Sequence, residues 1–253
     1  MSAPALANSA SLIEEMANAR ILAEEGEVIS SNRPHALYEY ERAISFPINH
    51  RETKRILIDI ESSGRWNVVN SDGCGGLFQF CPKTRKPVMK ALGIPPSQWM
   101  RRSNQELMFD YLYNKNKEAL SGYDLPLNIW FMYGAWQQGP GGIRSIARTL
   151  RDRVRLSKVI HKNIRNNLSS RDKSEWEFRT REVMYTIWRN SSMRKPGTKL
   201  FVLGRAMTSK QKRLVRKTLT KEGFRQYKLE SDSILATIWS RKFSTKIANN
   251  LQH

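Results

Sequence analysis

The 253-residue chain is poor in histidine, in cysteine and, over its second half, in acid. Its four histidines (His35, His50, His161, His253) are scattered. No His-Glu-x-x-His, Gly-x-Ser-x-Gly or phosphate-loop pattern accompanies them, which excludes the commonest zinc-hydrolase, serine-hydrolase and nucleotide-binding signatures. The two cysteines, Cys74 and Cys81, have no histidine close by and make a poor zinc site. They leave two readings open: reduced thiols in a cytosolic product, or a small disulfide stapling one loop, which needs an oxidising destination. No run approaches the roughly 18–20 apolar residues of a membrane span. Met1–Asn8 is small and neutral, without a basic stretch leading into an apolar one, so no export signal is expected.

The shortage of acid is local. Residues 1–150 carry 17 Lys+Arg against 15 Asp+Glu, whereas residues 151–253 carry 26 against 8. The formal net charge of +20 therefore belongs almost wholly to the C-terminal part. Charge of one sign at that density points to a polyanionic partner for residues 151–253, whether DNA, an anionic envelope surface or an acidic protein. A run such as "SKQKRLVRKTLTKEG" (209–223) also serves as an ordinary solvated helix face, and it lacks the pattern of a sequence-reading helix. Ordinary apolar content, 40%, and 9% aromatics argue for a packed core rather than global disorder.

Helical signals run through nearly the whole chain, so the fold is expected to be mainly α with one small loop or hairpin. Ser11 and Glu14, Asn49 and Glu52, and Ser103 and Glu106 each have capping-box spacing. A segment starting at Asp124-Leu125-Pro126 is apolar almost all round from Leu127 to Gln137 and stops at Gly139-Pro140, the pattern of a buried central helix. Basic helices are expected around 143–168, 172–190, 208–222 and 231–249, with a break at Asn190–Gly197 and a strand at Leu200–Leu203. This divides the chain into an N-terminal helical docking segment (1–45), a central domain (46–150) and a basic helical region (151–253).

The least ordinary stretch is "DIESSGRWNVVNSDGCGGLFQFCPKT", residues 59–84. Glu61 ends an apolar helix, on the face of Leu57 and Ile58, where desolvation raises a carboxyl's proton affinity. That suits a general acid near neutral pH, although a glutamate at a helix end is also commonly just a solvated terminus. Gly73, Gly75 and Gly76 allow a tight turn close to a ligand, and Gln79 is a polar group in apolar surroundings.

Glu61-Ser62, Gly73 and Gly76-Leu77-Phe78-Gln79 together resemble the Glu-Ser…Gly…Gly-Leu-Met-Gln signature of lytic transglycosylases, the soluble type related to goose-type lysozyme. Pro82 and Thr84 follow the same pattern. Downstream, "YGAWQQGPGGI" (133–143) resembles that family's Ala-Tyr-Asn-Ala-Gly-Pro-Gly element through Ala135, Gly139, Pro140 and Gly141. Trp136 stands for its tyrosine, Gln137 for its asparagine and Phe78 for its methionine. The resemblance spans roughly residues 45–150.

It implies a lysozyme-like helical domain that cuts the β-1,4 bond between N-acetylmuramic acid and N-acetylglucosamine in peptidoglycan glycan strands. Glu61 would be the sole acid/base, protonating the leaving oxygen and then drawing a proton from the muramic C6 hydroxyl to close a 1,6-anhydro ring. Ser62, Gln79, Trp136, Gln137, Gly76 and Phe78 would bind the substrate, Ser62 also positioning the carboxylate and the backbone amides of the glycine loop assisting. Tyr133 and Trp130 read as packing, and Trp66 as either. Asp72 leaves a second mechanism open, that of a two-carboxylate hydrolysing muramidase or endolysin. It also suits a plain Asp-Gly turn. A wall-cutting domain without an export signal suggests a bacteriophage virion protein acting with other virion proteins in the host wall. The rival is a non-catalytic virion component that holds DNA or an acidic partner through 151–253.

Overall fold

Asn49 opens the first helix as its spacing predicts, its side-chain oxygen accepting the Glu52 N–H at 2.7 Å while its amide reaches back to Glu52 Oε2 at 3.4 Å. The structure is a computed structural model and describes residues 49–198 and 209–251. Within them lie helices α1 (His50–Ser62), α2 (Pro82–Leu92), α3 (Arg102–Gly122), α4 (Ile129–Gln138), α5 (Pro140–Asp152), α6 (Lys158–Asn166), α7 (Ser170–Arg189), α8 (Ser209–Thr218) and α9 (Lys221–Leu251). The fold is mainly α, and its described β pairing is limited to isolated bridges: Val69 with Gly75, Gly75 with Phe80, and Arg194 with Leu219. The helix opening at Ser11, the 1–45 segment and the strand at 200–203 lie outside the described residues.

Two helices form the centre. Every residue from Ile129 to Ala135 in α4 is buried, because seven successive positions carry no charge. The second is α9, buried without interruption from Glu230 to Ser240. Its apolar members include Ile234, Leu235, Ile238 and Trp239, while small polar residues cover the rest of the circumference. Thr237, for example, returns its hydroxyl to the Ser233 carbonyl at 2.9 Å. Aromatic rings lock the two helices together. Tyr133 stacks on Phe243 at 4.5 Å, Phe243 on Trp239 at 4.3 Å, and Trp130 meets Trp239 edge-on at 5.9 Å. Each such pair adds roughly 0.5–1.5 kcal/mol beyond its buried area. One continuous core thus runs from Ile56 to Ile247, across the change in charge density near residue 150.

Three local expectations need correction. Ser103 is not a cap: α3 starts at Arg102 with no side-chain cap, because Glu106 turns instead to Lys54 (3.2 Å) and Arg102 (3.3 Å). The central helix begins at Ile129, where Asn128 accepts the Phe131 N–H at 3.0 Å, two residues later than the apolar run suggests. The single helix expected over 143–168 is two, α5 and α6. Arg153 turns left-handed (φ 51°), and the strap that follows is held by Asp232 of α9, only 1% exposed. Asp232 takes the Arg155 guanidinium, the Leu156 N–H at 3.1 Å and His161 Nδ1 at 2.8 Å. A carboxylate buried that deeply needs all these partners, since removing one from a buried pair costs roughly 3–5 kcal/mol.

Candidate active site

The motif loop hangs between α1 and α2 as a miniature hairpin. Gly75 and Phe80 exchange both backbone hydrogen bonds (3.2 and 2.8 Å), and Gln79 N–H closes the turn onto the Gly76 carbonyl at 3.2 Å. Cys74 and Cys81 flank that pair and are joined by a disulfide, with Cα atoms 3.8 Å apart, so the stapled reading of the two cysteines holds. The loop's other anchor is Gln105 of α3, fully buried. Its Oε1 accepts the Leu77 N–H at 2.6 Å, and its Nε2 donates to the carbonyls of Trp66 (2.9 Å) and Met100 (2.8 Å). Gly76 has φ +80°, and a Cβ there would lie 2.3 Å from Gln105 Oε1. Glycine is required at this position by both backbone and space.

Glu61 lies in the last turn of α1, which ends at once because Ser63 is left-handed and bonds back to Asp59. Burial pushes the Glu61 carboxyl above its ordinary value, against hydrogen bonding from the Tyr133 hydroxyl, the positive charge of Lys246 and hydrogen bonding from Gln137. Gln137 Nε2 also donates to Tyr133 Oη at 2.7 Å. Burial, then the neighbouring Glu61 carboxylate, drives the Tyr133 phenol far above its ordinary range, so it stays an O–H donor. Glu61, Tyr133 and Gln137 form a closed polar triangle with apolar packing behind it.

The triangle opens on a cavity of about 880 Å³. Of the residues singled out in the sequence, Glu61, Gln79, Trp136 and Gln137 line it together. Gln79 is held in a left-handed conformation (φ 47°), its Nε2 on the Gly76 carbonyl at 3.1 Å. Trp136 packs against Phe80 (5.3 Å) and Phe109 (5.7 Å) and donates Nε1 to the Phe78 carbonyl at 3.3 Å, which leaves part of its surface to the cavity. The motif residues Thr84, Ala135, Gly139 and Pro140 also border it, whereas the remaining candidate site residues, Ser62, Gly76, Phe78 and Asp72, are not brought to the cavity wall. Ser62 is buried and returns its hydroxyl to the Ile58 carbonyl at 3.2 Å. Phe78 is fully buried, stacked on Phe109 at 4.6 Å, and Gly76 lies on Gln105. Asp72 is exposed on the loop's outer side, its N–H on Asn70 Oδ1 at 2.9 Å in a local turn. Trp66 is 46% exposed and contributes its carbonyl to Gln105.

Sequence reasoning missed Tyr133, Gln105 and an entire wall. The far side of the cavity consists of Asn163 and Asn167 from α6 and its C-terminus, Leu168, and Trp239, Lys242, Phe243 and Lys246 of α9. Only the i, i+3, i+4, i+7 spacing of those four α9 residues was available as a signal, and it reads equally as a core stripe.

No protein-family model, curated protein or solved structure matches the chain. Among the described residues no group of three or more His, Cys, Asp or Glu could hold a metal ion, and no helix is long and apolar enough to cross a membrane.

Proposed function

We propose that the chain is a peptidoglycan lytic transglycosylase in which Glu61 is the single acid/base. The observation that carries the reading is the environment of that carboxyl: desolvated, raised in proton affinity, and held by Tyr133 and Gln137 on the edge of a cavity that also exposes Gln79 and Trp136. A carboxyl so placed keeps its proton to higher pH than an ordinary glutamate and can deliver it to the glycosidic oxygen as positive charge develops on the sugar. The leaving strand departs, and the resulting carboxylate accepts the C6 hydroxyl proton while that oxygen closes on C1. Atoms balance without water, metal or cofactor. Tyr133 and Gln137 donate to the carboxylate at this stage and fix its direction, Gln79 offers its amide to sugar substituents, and Trp136 offers an apolar surface.

Single-glutamate chemistry is supported by the cavity lining, in which Glu61 is the one carboxylate among the described residues, Asp72 being outside it. The disulfide is consistent with work in an oxidising compartment such as a periplasm, and virion carriage to the host wall remains our proposal for delivery. Charge in the basic region is available for a polyanion, because its acids are largely engaged: Glu230 by Arg153, Asp232 by Arg155, Glu175 by Arg241, and Asp172 by Lys242. We assign that contact to docking, driven by charge and without base reading.

Digestion of purified sacculi with mass spectrometry of the products tests the function. Anhydro-muropeptides are expected. Reducing-end products would transfer the assignment to a hydrolysing muramidase, and absence of products to a structural virion protein.

A further inference from the structure

The two walls of the cavity differ in charge. The motif wall carries Glu61 and, at the start of α2, Lys83, while α9 brings two cations, Lys242 and Lys246, and no acid to the same space. Lys242 is held by Asp172 Oδ2 at 3.4 Å. Lys246 makes no salt bridge among the described residues, and the acidic group whose proton affinity it alters is Glu61. In the free protein that placement works against the acid role, because a nearby cation favours the charged carboxylate. A bound anion on Lys246 would cancel the effect, so substrate binding and proton retention by Glu61 would reinforce each other. Asn163 and Asn167 border the same wall and supply neutral donors beside the cations.

We propose that Lys246, supported by Lys242, binds a carboxylate carried by the glycan substrate and thereby selects acidic glycan strands over neutral ones. The inference rests on the glycan-cleaving reading above. Two sources share this chemistry: the free carboxylates of peptide stems in intact sacculi, and the lactyl carboxylate that is exposed when stems are removed.

The test compares initial rates on three sacculus preparations: intact, stripped of stems by an amidase, and neutralised by carbodiimide coupling of the carboxyls to ammonia. The proteins are wild type, Lys246→Gln and, as a charge-matched control on the exposed start of α9, Lys221→Gln. One charge-assisted contact corresponds to about a tenfold change. Wild type is expected to lose about tenfold in kcat/KM on the neutralised preparation. Lys246→Gln should lose as much on intact sacculi and be indifferent to neutralisation, while Lys221→Gln follows wild type. Loss of wild-type rate on stripped sacculi assigns the site to the stems, whereas a rate higher on stripped than on intact sacculi assigns it to the lactyl carboxylate, which intact strands hold as an amide. A wild type indifferent both to neutralisation and to stem removal, or a Lys246→Gln protein that keeps the wild-type preference, overturns the proposal and leaves the cleavage reading intact. If no preparation is cleaved, the cleavage reading fails separately and co-sedimentation decides the subsite. Weaker retention of Lys246→Gln than of Lys221→Gln on intact but not neutralised sacculi supports it, and equal retention overturns it.

Discussion

Glu61 is held in a state that costs the fold something and gives the chemistry something. Its proton affinity is raised chiefly by burial, so the folded protein binds that proton more tightly than the unfolded chain does. The sign follows: its favourable contribution is complete below the ordinary glutamate value and is lost as pH rises through the raised value. Glu61→Gln is therefore expected to stabilise the protein at neutral pH, by about 0.5–2 kcal/mol, with the gain disappearing in acid. Thermal melts of both proteins across pH check this. The same substitution should lower glycan cleavage by roughly 10²–10⁴-fold, and a variant keeping more than about a tenth of wild-type rate would remove Glu61 from the mechanism. In wild type, kcat/KM should fall as pH rises through the raised Glu61 value, since the acid must start protonated. Lys246→Gln should move that limb to higher pH, because the cation that opposes protonation is gone.

At the scale of elements, the loop over residues 74–81 is held from both ends by side chains that the linear pattern does not pair. Its glycines and its Glu-to-Gln offset are local features that mark Glu61 and Gln79, whereas Trp136 and Gln137 were legible only through the resemblance of residues 133–143 to a known motif. Gln105 was not, since its partners Trp66 and Leu77 are far away in sequence and nothing marks a buried amide in a helix of mixed polarity. Tyr133 was read as packing for a related reason: it sits in the most apolar helix, and only its hydroxyl leaves the core. The caps show the same division. Asn49 caps α1 by accepting the Glu52 backbone N–H, whereas Ser103 lies inside α3, which starts at Arg102, and Glu106 pairs with Lys54 of another helix. Gly76→Ala tests the loop anchor. The left-handed backbone costs an alanine roughly 1–2 kcal/mol, and displacing the Gln105 amide adds about 1–3 kcal/mol for polar groups left unpaired. A denaturant midpoint lowered accordingly is expected, together with weakened glycan binding, because Gln79 sits on the displaced turn. An unchanged midpoint would mean that Gln105 does not anchor the loop.

For the molecule as a whole, the basic region is more than an appendage to the motif-bearing part. Its charge marks it off in the sequence as a basic helical region, and its α9 passes through the common core and completes the cavity. Composition reports the solvent-facing residues of a helix, while the buried stripe of α9 decides where the helix lies. Six large side chains, Ile234, Leu235, Ile238, Trp239, Phe243 and Ile247, are buried there. At roughly 1.5–3 kcal/mol each they contribute about as much as the whole margin of stability of a domain, about 5–15 kcal/mol. A chain lacking 221–251 should accordingly lose its cooperative thermal transition and its glycan cleavage together. Retention of either by residues 1–220 would restore the picture of an independent catalytic unit.

The stacking of Tyr133 on Phe243 also has a consequence in time. The ring that steadies the Glu61 carboxyl is itself steadied by Phe243 of α9, so the contact closes a long loop in the fold. Closing a loop of that length is entropically costly and kinetically late. During synthesis Glu61 emerges well before the α9 surface it leans on. A ribosome that stalls between α5 and α9 releases a chain with every motif residue present and its acid unsupported. The environment of the Glu61 carboxyl is then completed only when α9 docks.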